Sequence, residues 1–199
     1  MGYKFENLEK WTKLEKTGDW QKALSFGREW AAAEPHNFLA WQGIGDALTE
    51  LGRVDESIPI YRKALEVAPA HPVEFFDGNL STAPLWYRLG NAYTKLGDST
   101  RAIESLKKAA NIDPGAAEIW NNLGIAYVNA NNAQEAVKAF KSGLAANSSD
   151  TTVLTNLGLL YARCNVAEGV TSVHRMLSKL DSRAASTFLA GAKQILSGR

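Results

Sequence analysis

Three histidines and one cysteine are the side chains best suited to metal binding or nucleophilic chemistry, and their spacing supports neither. His36 and His71 each follow a proline, Pro35 and Pro69, in a turn. No two potential ligands sit three or four residues apart on one helix, the arrangement a helical zinc site needs. Cys164 has no histidine at catalytic spacing, so it is expected to pack, and as the single cysteine it forms no intramolecular disulfide. The chain also lacks a phosphate loop, a Gly-rich dinucleotide fingerprint and a nucleophile elbow. No catalytic residue, metal or cofactor is therefore expected, and the protein reads as something other than an enzyme.

Charge narrows the partners. A net charge of +1 is far from the basic footprint of a nucleic-acid binder. The balance is uneven: residues 1–82 carry 9 basic and 13 acidic side chains, residues 83–199 carry 13 basic and 8 acidic. A partner meeting the second half would enter a mildly positive field, which aids steering more than affinity. No segment reaches the roughly 18–20 apolar residues of a membrane span. The start, MGYKFENLEKW, lacks a basic region followed by an apolar run, so the cytoplasm is favoured, with a periplasmic or membrane-anchored site open if a signal once preceded it.

The elements that position these side chains come from a repeat. Segments 83–110 and 117–144 align at an offset of 34 residues, with Trp86 over Trp120, Leu89 over Leu123, Gly90 over Gly124, Tyr93 over Tyr127 and Ala102 over Ala136. A further 34 brings Leu154, Leu157, Gly158 and Tyr161 into the same places, and another reaches Phe188. Trp41, Ile44, Gly45 and Leu48 lie 45 residues before their counterparts, a repeat plus an 11-residue insertion. A weaker first copy has Leu14, Gly18, Ala23 and Pro35.

Within each copy apolar residues recur three and four apart, the stripe of a buried helix. Gly18, Gly52 and Gly97, with Asn131 and Asn165, stand where a first helix must end in a left-handed residue. Asp19 and Asp98 suit the start of the second helix. Gly45, Gly90, Gly124 and Gly158 allow two helices to approach closely. Helices are expected near 4–16, 20–33, 37–50, 54–67, 83–95, 99–112, 117–129, 133–146, 151–163 and 167–180. One more near 184–197, with Phe188, Ile195 and Leu196, would cover the open end, which a solenoid otherwise leaves apolar. His174 falls where Tyr61 and Phe140 hold large core positions, so a packed imidazole is expected, and the six tryptophans read mainly as core.

This pattern resembles the tetratricopeptide repeat, and the resemblance covers nearly the whole chain. It implies an all-α, right-handed superhelical solenoid of helix-turn-helix repeats in one domain, 1–199. Its repeats would span about 4–37, 38–71, 83–116, 117–150 and 151–184. The insertion 72–82 has Pro72, which cannot extend the preceding helix, and an Asp77-Gly78 turn signal. Ser81 or Thr82 would cap the next helix, with Pro84 in its first turn. Phe75 and Phe76 either fill the seam between the second and third pairs or touch a partner or a second copy of the chain.

In that family the first helix of each pair lines a concave surface that receives a peptide. Carried over, the inward polar positions are Gln42 and Asp46, then Arg88, Asn91 and Lys95, then Asn121, Asn122 and Asn129, then Asn156 and Arg163. Positions 88, 91 and 95 are three and four apart, as are 122, 125 and 129, so each set shares a face. An asparagine amide both donates and accepts, so it can grip peptide main chain irrespective of side chains. Asn122 and Asn156, one repeat apart, resemble the asparagine row some members use. Tyr87, Thr152 and Asn156 stand where a chaperone-tail clamp has basic residues, which argues against that mode. Arg88, Lys95 and Arg163 would favour acidic side chains on the partner.

The resemblance thus implies a scaffold or adaptor holding another protein's peptide segment. An assembly factor that self-associates through its ends or the 72–82 loop, as in pilus or secretion machinery, is the alternative. A regulatory arm of a larger enzyme comes third. An RNA-reading repeat comes last, since charge and pattern both point away from it.

Overall fold

The computed structural model describes residues 5–69, 73–75 and 78–198, with the 73–75 and 78–80 segments as backbone alone. Among these residues the apolar stripes fold as helices joined by short turns: α1 (Phe5–Thr17), α2 (Trp20–Ala33), α3 (Phe38–Glu50), α4 (Val54–Val67), α5 (Ala83–Lys95) and α6 (Ser99–Ile112). They continue as α7 (Ala117–Asn129), α8 (Ala133–Ala146), α9 (Thr151–Arg163), α10 (Ala167–Leu180) and α11 (Ser182–Ser197). Most bounds match those expected from the repeat. The differences have local causes. Asn37 stays outside α3 because its Oδ1 accepts from the Leu39 N–H at 3.1 Å, as a cap does. α11 starts at 182 rather than 184 because Asp181 Oδ1 accepts from the N–H groups of Arg183 and Ala184 at 2.8 and 3.0 Å.

The turns inside the pairs use the left-handed residues the repeat places there. Gly18, Gly52 and Gly97 have φ of 68°, 77° and 77°, and Asn131 and Asn165 have 56° and 59°. Asp19 and Asp98 then cap the second helices, accepting from the N–H of Lys22 and Arg101 at 3.2 and 3.0 Å. A side chain with a β-carbon and no local hydrogen bond is strained in that conformation by roughly 1–2 kcal/mol. Asn131→Ala should therefore lower stability by about 1 kcal/mol, read from urea unfolding, while Asn131→Gly should not.

In the insertion, β1 (Val73–Phe75) pairs antiparallel with β2 (Gly78–Leu80), with Val73 opposite Leu80 and Phe75 opposite Gly78. The sequence reading has only a loop with a turn signal there. Three residues a side is too short for hydrophobic periodicity to register. Ahead of α5, Thr82 takes the cap position while the Ser81 hydroxyl accepts from the Ala83 N–H at 3.3 Å.

The helices group into two compact units, Met1–Ile112 and Asp113–Arg199. In the first, Trp11, Leu24, Trp30, Ile44 and Leu48 form a buried cluster, and the Tyr61 ring lies directly against Gly45. In the second, Phe140 packs with Val153, Leu157 and Leu160, and Phe188 with Leu154, Val173 and Leu177. The glycines that recur in the first helices face large side chains: a β-carbon on Gly124 would stand 2.5 Å from the Phe140 ring, and one on Gly90 2.6 Å from Leu106.

At Gly158 the pattern changes. A β-carbon there would stand 2.5 Å from the Phe188 ring of α11 and 2.7 Å from Val173. His174, expected to be a packed core imidazole, is only half-buried. The ring over this glycine comes from the terminal helix instead of the repeat's own second helix. Of the tryptophans, only Trp11 and Trp30 are fully buried. Trp41 and Trp120 are half-buried, and their indole N–H groups donate to the carbonyls of Pro35 and Pro114 at 2.8 and 2.9 Å.

Candidate functional site

In the first unit α5 carries Arg88, Asn91 and Lys95 along one line. Lys95 is exposed in the last turn, and Asn91 is half-buried. Arg88 has an intramolecular role that the sequence reading did not give it. Its Nε donates to Asp46 Oδ1 of α3 at 2.6 Å, and the Tyr61 hydroxyl of α4 donates to the same oxygen at 2.8 Å. The Thr49 hydroxyl stands 3.1 Å from the Tyr61 oxygen and 2.9 Å from the Gly45 carbonyl, two acceptors for its one proton. Side-chain exposure is 31% for Arg88 and 13% for Asp46, so this pair sits largely out of water. The expectation that Arg88 and Asp46 present themselves to a partner is corrected accordingly: each is the other's partner across 42 residues of sequence.

Burial pushes the Asp46 carboxyl above its ordinary value, with Arg88 and then Tyr61 pulling against it. Burial, followed by the Asp46 charge, pushes the Tyr61 phenol well above its ordinary range. The cluster ties α3, α4 and α5 together.

In the second unit, α7 carries Asn121, Asn122 and Asn129, and α9 carries Asn156 and Arg163. Asn156 Nδ2 donates to Asn121 Oδ1 at 2.8 Å, and Asn121 Nδ2 donates to Asn122 Oδ1 at 3.2 Å. Three amides thus form one chain across two helices. The step that joins the helices is 156 to 121, not the 156-to-122 register of a strict repeat. Asn121 is 9% exposed, so it braces the row from beneath and does not line an open face as expected. Asn122 and Asn156 are half-buried, and Asn129 and Arg163 are exposed at the ends of their helices. Loss of the Asn156 amide would leave Asn121 Oδ1 short of a partner in a buried place. Asn156→Ala should lower the unfolding free energy of this unit by about 1–3 kcal/mol, measured by denaturant titration.

Beside this row lies a hollow of about 260 Å³. Ile125 and Val128 of α7, Leu159 and Leu160 of α9, and Ile195 of α11 line it, with Asn156 and Arg163 at its polar edge. A second hollow, about 500 Å³, lies between α4, α5 and α6. Lys108 stands 4.1 Å over the Trp86 ring there, and Arg62, Arg101 and Lys108 are interleaved with Glu66 and Glu104, which leaves little preference for either sign of ligand.

Phe75 is on β1, and Phe76 lies outside the described residues, as does His71. His36 is exposed. Cys164, expected to pack, is exposed at the C-terminal end of α9, where the chain turns toward Asn165. Among the described residues no group of three or more His, Cys, Asp or Glu side chains could hold a metal ion, and no helix is long and apolar enough to cross a membrane.

Paired helices with left-handed turns between them, and a glycine in each of four first helices packed closely against a large side chain, define a tetratricopeptide-type repeat protein, a class of interaction scaffold. The chain belongs to the family described as the cilia and flagella-associated protein 70 C-terminal domain, whose profile matches residues 5–192. It is 31% identical over 123 residues to the CTR9 homolog of Arabidopsis thaliana, a match covering 58% of this chain and only 10% of that protein. The fold is shared with MamA from Desulfovibrio magneticus RS-1, at 21% identity and a TM-score of 0.73, covering 88% of this chain and 95% of the other. It is shared as well with YrrB, described as a TPR protein with an unusual peptide-binding site, at 18% identity and a TM-score of 0.70, covering 91% and 89%.

Proposed function

We propose that the protein is a non-catalytic adaptor that holds an extended segment of another protein against the α7–α9–α11 face of its second unit. The observation that carries this reading is the amide chain Asn156–Asn121–Asn122 beside an apolar hollow. Asn121 accepts from Asn156 and donates to Asn122, and an amide carries both donor hydrogens and an acceptor oxygen of the kind that bonds peptide main chain. Buried Asn121 fixes the orientation of the row, so its members can meet peptide N–H and C=O groups without first being ordered. Asn129 and Arg163 extend this surface, and Asn91 and Lys95 on α5 offer a like surface on the first unit. The peptide-binding described for YrrB is in keeping with this reading.

The test is a pull-down from source-organism lysate with the intact chain and with Asn122→Ala/Asn129→Ala, which spares the supporting Asn121–Asn156 bond. A partner held by the first and lost by the second, at equal thermal stability, supports the adaptor reading. Equal capture by both would remove the amide row from the binding surface.

A specific observation favours self-association as a second reading. Val166, Met176 and Leu180, around α10, are 40–47% exposed, and Val166 and Met176 border a hollow of about 460 Å³ with Leu144 and Tyr161. Light scattering on the intact chain and on Met176→Glu distinguishes the two: a dimer that the charge dissolves supports assembly through this end, and a monomer in both cases removes it.

A further inference from the structure

We infer that Asp46 and Arg88 form a brace that sets where the α5–α6 pair stands on the α3–α4 pair, the task a short connection performs at the α2–α3 junction. Three observations on the first unit carry it.

First, length of chain. Residues 34–37 and 147–150 join successive pairs with four residues each, whereas α4 ends at Val67 and α5 starts at Ala83, leaving the 15 residues 68–82 between them. Four residues reach on the order of 15 Å, not far beyond the roughly 8–10 Å between packed helix axes, so they hold the next pair in place. Fifteen could reach roughly 50 Å, a length that by itself restrains neither position nor angle. Second, fastening. Trp41 and Trp120 tie their helices to the preceding connection through the Pro35 and Pro114 carbonyls at 2.8 and 2.9 Å. Their counterpart Trp86 has Leu80 in place of that proline, and it carries the Lys108 ammonium over its ring at 4.1 Å.

Third, the brace itself. Arg88 Nε and the Tyr61 hydroxyl both donate to Asp46 Oδ1, so side chains of α3, α4 and α5 meet on one oxygen. A charge-assisted bond between largely buried groups has a short range and a strict direction, and breaking it leaves a charge out of water. It therefore selects one placement of α5 against α3 over its neighbours. Arg88 lies one turn before Asn91 and two before Lys95 on α5, so the same bond decides where those two residues stand.

The experiment measures spin-label distances by double electron–electron resonance on the intact chain in a Cys164→Ser background, with labels at exposed helix positions. Arg28→Cys on α2 and Lys107→Cys on α6 span the α4–α5 junction, and Arg28→Cys with Lys63→Cys on α4 does not. Asp46→Leu/Arg88→Met should move the 28–107 distance by about 1–2 Å or more, the size of helix shifts at packed interfaces, and broaden its distribution. The 28–63 distance should keep its parent value. Arg88→Met alone is read instead if the double variant loses helix content by circular dichroism. Two rescues distinguish a brace from a pair that only stabilises. Arg88→Lys, which keeps the charge, should recover most of the parent distance. Replacing residues 68–82 of the double variant with the four residues of 34–37 should recover it too. In the second unit, Asn156→Ala removes a bridge beside a four-residue connection, so the distance from Lys141→Cys on α8 to Lys193→Cys on α11 should not move. An unchanged 28–107 distance without the pair overturns the brace. So does an equal shift in 28–63 or on Asn156→Ala, or a shift that the short connection leaves in place.

Discussion

Replacing Phe188 with alanine should destabilise the second unit by about 3–5 kcal/mol, among the largest effects any single change in this chain can have. Phe188 is 1% exposed and packs among Leu154, Val173, Leu177, Ala185 and Ala192. The ring fills the space over Gly158, a residue with no side chain of its own to move into the void. The cavity term should therefore be near its upper range. Losing the ring also frees α11 to separate from α9 and α10 and expose their apolar face to water. Urea unfolding measures the loss, and hydrogen exchange locates it: amides of α9–α11 should exchange faster while those of α3 and α4 do not.

Two companions sharpen this result. Phe188→Leu should cost less than about 1.5 kcal/mol, because most of the volume is kept. Gly158→Ala brings a β-carbon to 2.5 Å from the ring, so it should harm the parent chain but do less damage when Phe188 is already alanine, where its 2.7 Å approach to Val173 remains. A loss below about 1 kcal/mol for Phe188→Ala would mean that the terminal helix is not held by this ring.

The second large effect concerns Asp46. Asp46→Ala should cost about 3–5 kcal/mol, because it strands the largely buried Arg88 guanidinium and removes the acceptor of the Tyr61 hydroxyl. Replacing both members with apolar residues of similar size, Asp46→Leu/Arg88→Met, should come close to the parent stability, since no charge is then left buried and the Tyr61 hydroxyl can donate to the Thr49 oxygen 3.1 Å away. Large single losses with a mild double would show that the pair fixes which helices meet and adds little net stability.

The pH dependence has a definite sign. The folded state raises Asp46 above its ordinary value of 3.8, so it holds this proton more tightly than the unfolded chain does. The resulting contribution is fully present below 3.8 and is lost as pH rises through the folded value. The parent should thus lose stability relative to Asp46→Asn as pH climbs from 3.8 through the window just above the ordinary carboxylate range. A difference that instead grows in the parent's favour over that window would place the Arg88 attraction ahead of burial.

The amino-acid order legibly determined the helices. A 34-residue repeat of apolar stripes, with Gly or Asn at each left-handed turn and Asp19 and Asp98 at caps, states its pairing locally, because caps, turns and stripes act within a few residues. The sequence placed Asn122 and Asn156 one repeat apart, but not the bond that joins their helices, which runs from Asn156 to Asn121. The indole bonds from Trp41 to Pro35 and from Trp120 to Pro114 were missed, though the same six-residue spacing in two copies was a signal for them.

What only tertiary structure decided is which partner each polar group takes. The sequence places Asp46, Arg88, Asn121 and Asn156 on helix faces, but whether each meets solvent or a neighbour depends on shifts of an ångström or two between helices. Those shifts set the 156-to-121 bond in place of 156-to-122, and the Asp46–Arg88 pair in place of two open charges. They also give the space over Gly158 to Phe188 and leave His174 half-buried and Cys164 exposed. Periodicity fixes the face of a helix to within a turn, whereas a hydrogen bond requires its atoms within about 3 Å, and only the packed chain supplies that precision.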